Sequence, residues 1–318
     1  MGSAPAFAGG TARRGAVRSC SGMTSVQDGA SSLPSPPGPI GLIAGGGRLP
    51  ALVAEGMRAA GYSIVCAGLS GLCSPELRSL STRFQEVGVL RPGSWGRYLR
   101  RNGAHYAVMI GRIDKAAFLH DWTAIIRNIP DLTAVRIYRR LRRDKRSHLI
   151  LAAVADELAL AGVRLIDSTT YIAEHMASAG VMTQRGPTAG QQADIEFGWP
   201  LLRDLLKLDI GQSIAVRDRD VVAVEAVEGT DRMIERAGML CAHSGWTVLK
   251  GARAGHDRRS DVPTVGPETI RNLHRAGGRC LAVAAEEVII VDKPATIRLA
   301  DEIGVCIVGV EEDGRIPR

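Results

Sequence analysis

Three consecutive glycines follow a short apolar stretch in Gly41-Leu42-Ile43-Ala44-Gly45-Gly46-Gly47-Arg48-Leu49-Pro50. A strand, a glycine-rich turn and a helix N-terminus can cradle a phosphate, because unpaired backbone N–H groups and the helix dipole both favour an anion. The competing reading is a tight βα turn with no ligand, although three glycines exceed what one turn requires. The dinucleotide fingerprint fits poorly. Starting it at Gly45 and Gly47 puts Pro50 where the third glycine belongs, and the second strand ends in Ala67-Gly68-Leu69, without an acid. No G-x-x-x-x-G-K-[ST] phosphate loop occurs.

Acidic and basic residues suited to phosphoryl chemistry gather in the second half. Glu225-Ala226-Val227-Glu228-Gly229-Thr230-Asp231 ends a strand and starts a helix. Glu228 and Asp231 there could bind a divalent cation through oxygen, or Thr230 and Asp231 could merely cap the helix. The segment from His256 through Asp257, Arg259 and Asp261 to Pro263-Thr264-Val265-Gly266, with Lys250 upstream, mixes acids and bases in one loop. Phosphoryl chemistry needs carboxylates for Mg²⁺ or water and cations for the phosphate oxygens; a solvated salt-bridge loop has the same composition. Leu208-Asp209-Ile210-Gly211-Gln212 reads by itself as a helix end with a glycine stop. The histidines form no zinc spacing, and no G-x-S-x-G elbow supports a serine hydrolase.

These residues need a scaffold, and the apolar periodicity supplies an α/β one. Strands are predicted over 40–44, 62–69, 105–110 and 163–166, with helices over 49–60, 94–102 and 149–160 between them. That alternation implies right-handed crossovers and a parallel, Rossmann-like sheet. Beyond about residue 175, helices over 193–208, from Asp231, and over 269–276 mix with strands over 213–216, 221–227, 247–250, 288–291 and 305–308. This second half reads as a separate α/β domain with a mixed sheet. The expected organisation is a flexible tail over 1–38, an N-terminal domain over 39–175 and a C-terminal catalytic domain over 176–318.

Composition excludes several classes. The 318 residues are 45% hydrophobic and 23% charged, ordinary globular usage, and the aromatic share of 4% is too low for a base-stacking platform. The net charge of +7 is concentrated: between Arg136 and Arg146, seven cations stand against Asp144 alone. A near-neutral body with one basic run argues against a nucleic-acid partner. The run fits a solvated helix face, or one drawn to anionic lipid or a phosphate-bearing substrate. Neither a secretory signal nor a stretch of roughly 18 apolar residues is present, and the six cysteines lack a C-x-x-C pair, consistent with reduced thiols in the cytoplasm.

Taken in order, Gly-Leu-Ile-Ala-Gly-Gly-Gly-x-Leu-Pro, Leu-Asp-Ile-Gly-Gln, Glu-Gly-Thr-Asp and Asp-x-Arg-x-Asp-x-Pro-Thr-x-Gly resemble the LpxI family, the UDP-2,3-diacylglucosamine pyrophosphatases of lipid A biosynthesis. The likeness spans about residues 40–310. It implies two α/β domains with the lipid nucleotide between them, and Mg²⁺-dependent attack of water on the α-phosphorus, giving UMP and 2,3-diacylglucosamine 1-phosphate (lipid X). Carried over to this chain, it implies Asp261 as the catalytic aspartate. It also suggests Glu228, Asp231 and Asp257 for metal or water, and Gly45, Gly46, Gly47, Lys250, Arg259 and Thr264 for substrate. A cytoplasmic protein that touches the inner membrane in passing, and a homodimer, are consistent with it. Two stretches depart from the family pattern: Gly111-Arg112-Ile113-Asp114-Lys115 lacks a proline, and Arg143-Asp144-Lys145-Arg146 has a base in place of an acid. The competing expectations are a non-catalytic nucleotide-sugar or anionic-lipid binder of the same fold and a Rossmann-type oxidoreductase.

Overall fold

The first half folds around a sheet of five parallel strands. The computed structural model describes residues 33–113, 129–142, 147–241, 243–259 and 262–317. Its first half runs β1 (Pro39–Ala44), α1 (Leu49–Ala59), β2 (Ser63–Leu69), α2 (Leu77–Leu80), β3 (Arg83–Val87), α3 (Pro92–Arg101), β4 (Tyr106–Ile110), α4 (Leu132–Arg140), α5 (Ser147–Leu160) and β5 (Arg164–Leu165). The strand order is β3-β2-β1-β4-β5, that of the first five strands of a Rossmann sheet. Successive side chains along a strand point to opposite faces. Leu42, Ile64, Cys66 and Val108 therefore pack on the α1 side, while Ile43, Val65 and Met109 join Trp95, Leu99 and Leu158 on the other. Two buried faces explain why these strands read as continuous apolar runs.

The second half holds a mixed sheet. A 3₁₀ turn (Ala173–His175) leads to β6 (Gly180–Val181), α6 (Ala189–Leu208), β7 (Ser213–Arg217), β8 (Asp220–Val224), α7 (Thr230–Leu240) and β9 (Thr247–Lys250). There follow β10 (Thr264–Val265), α8 (Pro267–Arg275), β11 (Cys280–Ala284), β12 (Ile289–Ile290), α9 (Lys293–Ile303) and β13 (Cys306–Val310). Six strands order as β6-β13-β11-β9-β7-β8; β13, β11 and β9 are parallel neighbours, and β6, β7 and β8 run antiparallel to theirs. The fully buried Trp246 anchors its core with Ile195, Leu202, Leu249 and Leu281. Short parallel strands β10 and β12 pair outside that sheet. Both sheets belong to one compact unit, Pro34–Arg318.

Several elements differ from the sequence reading. Helix α6 starts at Ala189, because Thr188 accepts from the Gln191 N–H while the Gln191 side chain accepts from the Thr188 N–H, a reciprocal capping box. The pattern does not reveal β3, a half-polar edge strand, nor β11, whose Cys-Leu-Ala-Val-Ala run suits a helix equally well. Helix α9, opened by proline, is also additional. The arginine run is not one helix: α4 ends at Arg140, a turn follows at Leu141 and Arg142, and residues 143–146 lie outside the described residues. So do residues 1–32 of the expected tail. Among the described residues no helix is long and apolar enough to cross a membrane. Cys66, Cys73, Cys241, Cys280 and Cys306 are not disulfide-bonded, and burial pushes the Cys66 thiol up to about 12.

Candidate functional site

Two of the three glycines are spent on packing. The Gly45 N–H donates to the Ile110 carbonyl (2.9 Å), and Gly46 exchanges hydrogen bonds with Arg112 (2.9 and 2.8 Å), so their amides are committed to the end of β4. A methyl on Gly45 would stand 2.9 Å from the Gly111 carbonyl carbon and the Arg112 oxygen, and one on Gly111 would stand 2.8 Å from Gly45. Two backbones therefore touch where side chains cannot fit. Gly47 differs: it is exposed at φ +90°, with nothing within 4 Å of a methyl there. The cradle thus reduces to Gly47 and the start of α1, with Gly45 and Gly46 as its support.

The turn opens onto a cleft of about 380 Å³ between the first sheet and the β10–β12 pair with α8. Gly46, Gly47, Arg48, Arg112 and Ser168 line one side; Thr264, Glu268 and Thr269, the last two in the first turn of α8, line the other. Arg48 is oriented by three carboxylates, Glu55 at 2.9 Å, Glu76 at 3.5 Å and Asp292 at 3.6 Å, and Asp292 comes from the second half of the chain. Arg112 is exposed. Arg112, a helix N-terminus and small polar side chains suit an anion, whereas Arg48 would have to exchange its carboxylate partners and Glu268 would oppose one. Of the candidates named above, Gly46, Gly47 and Thr264 meet here. The arginines were not singled out by the sequence; their signal was position, each directly beside a turn glycine.

The remaining candidates lie elsewhere. Lys250, 4% exposed at the end of β9, donates to Thr230 Oγ1 (2.6 Å), which donates to Glu225 Oε2 (3.0 Å). Glu228 accepts from the Ala226 N–H and from Arg236 (2.6 Å); its own backbone N–H, then Arg236, holds its carboxyl below the usual range. Asp257 receives the Arg259 guanidinium on both oxygens (2.8 and 2.6 Å), which holds the carboxyl below the ordinary 3.8 and raises the guanidinium. Asp231 stands apart. Its Oδ1 is buried without a hydrogen-bond partner among the described residues, and Asp231 sits in the first turn of α7. An orphaned carboxylate oxygen fits a cation ligand, whereas Glu228 and Asp257 would each have to leave an arginine. Among the described residues no three His, Cys, Asp or Glu side chains are spaced to hold a metal. Asp261 lies outside the described residues.

Tertiary structure joins two motifs that are far apart in sequence. Asp209, Gly211 and Gln212 line a cavity of about 40 Å³ together with Arg253, His256 and Asp257. Gly211 is required because a methyl would lie 2.0 Å from the Glu225 carbonyl oxygen. His256 Nδ1 donates to the Arg253 carbonyl (3.1 Å), leaving a buried Nε2 without a partner among the described residues. The same loop is fastened to the first half by Arg258. Its guanidinium lies 2.9 Å from Asp167 and donates to Thr169 (2.8 Å), and its carbonyl accepts from Ser168.

The family model for the LpxI N-terminal domain matches residues 39–175, and that for the LpxI C-terminal domain matches residues 178–308. A curated relative from Caulobacter vibrioides, named UDP-2,3-diacylglucosamine pyrophosphatase LpxI, is 28% identical over 285 residues, covering 87% of this chain and 99% of the relative.

Proposed function

The chain belongs to the LpxI family, and on that premise we propose that it hydrolyses UDP-2,3-diacylglucosamine to UMP and 2,3-diacylglucosamine 1-phosphate in lipid A biosynthesis. The observation that carries this reading is coverage. Both halves match the family, and the relative that aligns along 99% of its length is named for that pyrophosphatase activity.

The cleft supports the reading physically. Its volume is within the range of small-molecule sites, room for a nucleotide-sugar head group though not for two acyl chains. A diphosphate carries the anionic oxygens that Arg112 and the start of α8 suit, and Arg48 could add to them by exchanging its carboxylate partners. In the reaction, water oxygen bonds to the α-phosphorus and the bond to the bridging oxygen breaks. That oxygen leaves with the sugar phosphate, and the water's proton passes to a base. Asp261 is the residue proposed to hold the water. Asp231, which does not line the cleft, is the carboxylate proposed for Mg²⁺; the chemistry such an ion would supply is neutralisation of charge on a diphosphate. Arg259, engaged by Asp257, would have to exchange partners to reach a phosphate.

We also infer a cytoplasmic protein that meets the inner membrane peripherally. Helix α4 supports this: Leu132, Val135 and Tyr138 are exposed beside Arg139, though Arg136 and Arg140 are engaged by Glu157 and Asp156. The deciding measurement is UMP release from UDP-2,3-diacylglucosamine with and without Mg²⁺. Release that depends on Mg²⁺ and is lost in Asp261→Ala with an unchanged circular-dichroism spectrum is the expected result. Substrate binding without release would favour the non-catalytic binder, which the arginine-engaged Glu228 and Asp257 make a specific alternative.

A further inference from the structure

We propose that Glu225, Thr230 and Lys250 form a buried positioning network that sets the Asp231 carboxylate, and that Lys250 acts through Thr230 rather than by touching the diphosphate. The inference rests on the hydrolase reading above and assigns Glu225 and Thr230 a part in it.

Lys250 is 4% exposed, Glu225 8% and Ser213 0%, and the cleft lining does not include Lys250. A buried ammonium and a buried carboxylate are costly unless their hydrogen-bonding capacity is met. Thr230 joins them. Its hydroxyl accepts from Lys250 Nζ at 2.6 Å and donates to Glu225 Oε2 at 3.0 Å, with Ser213 Oγ at 3.5 Å. A hydroxyl can accept and donate at once, so the three groups form one directed chain in which each bond polarises the next.

Thr230 is also the first residue of α7. That helix has Gly229 at its N-cap, φ +84°, with no side-chain cap hydrogen bond. An uncapped first turn frays unless something else holds it. The Thr230 hydroxyl supplies that hold, tying the turn to the end of β9 through Lys250 and to the residue after β8 through Glu225. Asp231 is the next residue, and its Oδ1 is buried with no hydrogen-bond partner among the described residues. With no such partner on that oxygen, its direction depends on the backbone beneath it. The anchor at Thr230 therefore fixes Asp231, while Lys250 also marks the start of the loop that carries Asp257 and Arg259.

The test compares Thr230→Val, nearly isosteric but unable to bond, with Thr230→Ser and with Lys250→Met. Readouts are kcat and KM for UMP release and, independently of turnover, the Kd of Mn²⁺ alone measured by electron paramagnetic resonance. Thr230→Val should fold with an unchanged circular-dichroism spectrum, lose at least tenfold in kcat with KM within twofold, and weaken Mn²⁺ at least fivefold; Thr230→Ser should restore both. Lys250→Met should reproduce the kcat loss and leave KM unchanged. A Thr230→Val protein with parental kcat and Mn²⁺ affinity would overturn the network, as would a Lys250→Met protein whose sole defect is a tenfold rise in KM. Failure of the parent protein to release UMP would instead refute the hydrolase reading, leaving the Mn²⁺ measurement to decide the network.

Discussion

Gly45→Ala and Gly47→Ala probe adjacent turn residues that are glycine for different physical reasons. At Gly45 the obstacle is space: the new methyl would stand 2.9 Å from both the Arg112 oxygen and the Gly111 carbonyl carbon, backbone atoms that no rotamer change can clear. Overpacking of this kind costs about 1–3 kcal/mol. For a chain of this length about 2 °C of Tm accompanies each kcal/mol, so a fall of about 2–6 °C is expected. The shift must pass into β4 and Arg112, and kcat/KM for UMP release should fall with it. At Gly47 the obstacle is conformation: φ is +90° with nothing within 4 Å, so the cost is about 1–2 kcal/mol and the strand is undisturbed. Gly111→Ala gives the decisive control. Because Gly45 and Gly111 meet each other, the double alanine variant should be non-additive by at least about 0.5 kcal/mol, whereas Gly47→Ala with Gly111→Ala should add. Differential scanning calorimetry measures all of these. A Gly45→Ala protein with parental Tm, or strict additivity with Gly111→Ala, would refute the close approach.

Other outcomes follow from the same structure. Gly211→Ala should destabilise beyond the range expected at Gly45, since its methyl would lie 2.0 Å from the Glu225 oxygen; expression yield and urea midpoint report it. Thr188→Ala removes one side of the α6 capping box and should cost about 1 kcal/mol in chemical denaturation. Arg259→Gln should lower Tm at pH 7 by no more than about 2 °C, the Asp257 pair being part-exposed. Arg259 lowers the folded-state value of Asp257, so its contribution is present above 3.8 and is lost as the pH falls through the lowered value; a difference from the parent that persists in acid would contradict this. Replacing Arg139 and Arg142 with Gln should weaken sedimentation with anionic vesicles and leave neutral vesicles unaffected; equal binding by both proteins would leave α4 a solvated face.

The sequence by itself determined the α/β character, because alternating apolar runs and helical spacings are local properties. It also determined the glycine turn, since the strand before it and the helix after it are contiguous. The pattern misses the Thr188 and Gln191 cap even though its partners stand only three residues apart, and it starts the helix at 193 rather than 189. Strand order, and the neighbour each turn touches, was not legible: β11 enters the second sheet because β9 and β13 flank it, and the roles of Gly45 and Gly111 exist only because β1 and β4 are adjacent. The same holds for charge. Glu228, Asp257 and Lys250 are ligand-like residues by type, yet Arg236, Arg259 and Thr230 determine what each oxygen or ammonium can reach. Residue type states which bonds a group can make, and only tertiary packing decides which partner stands within 3 Å of it and whether water competes.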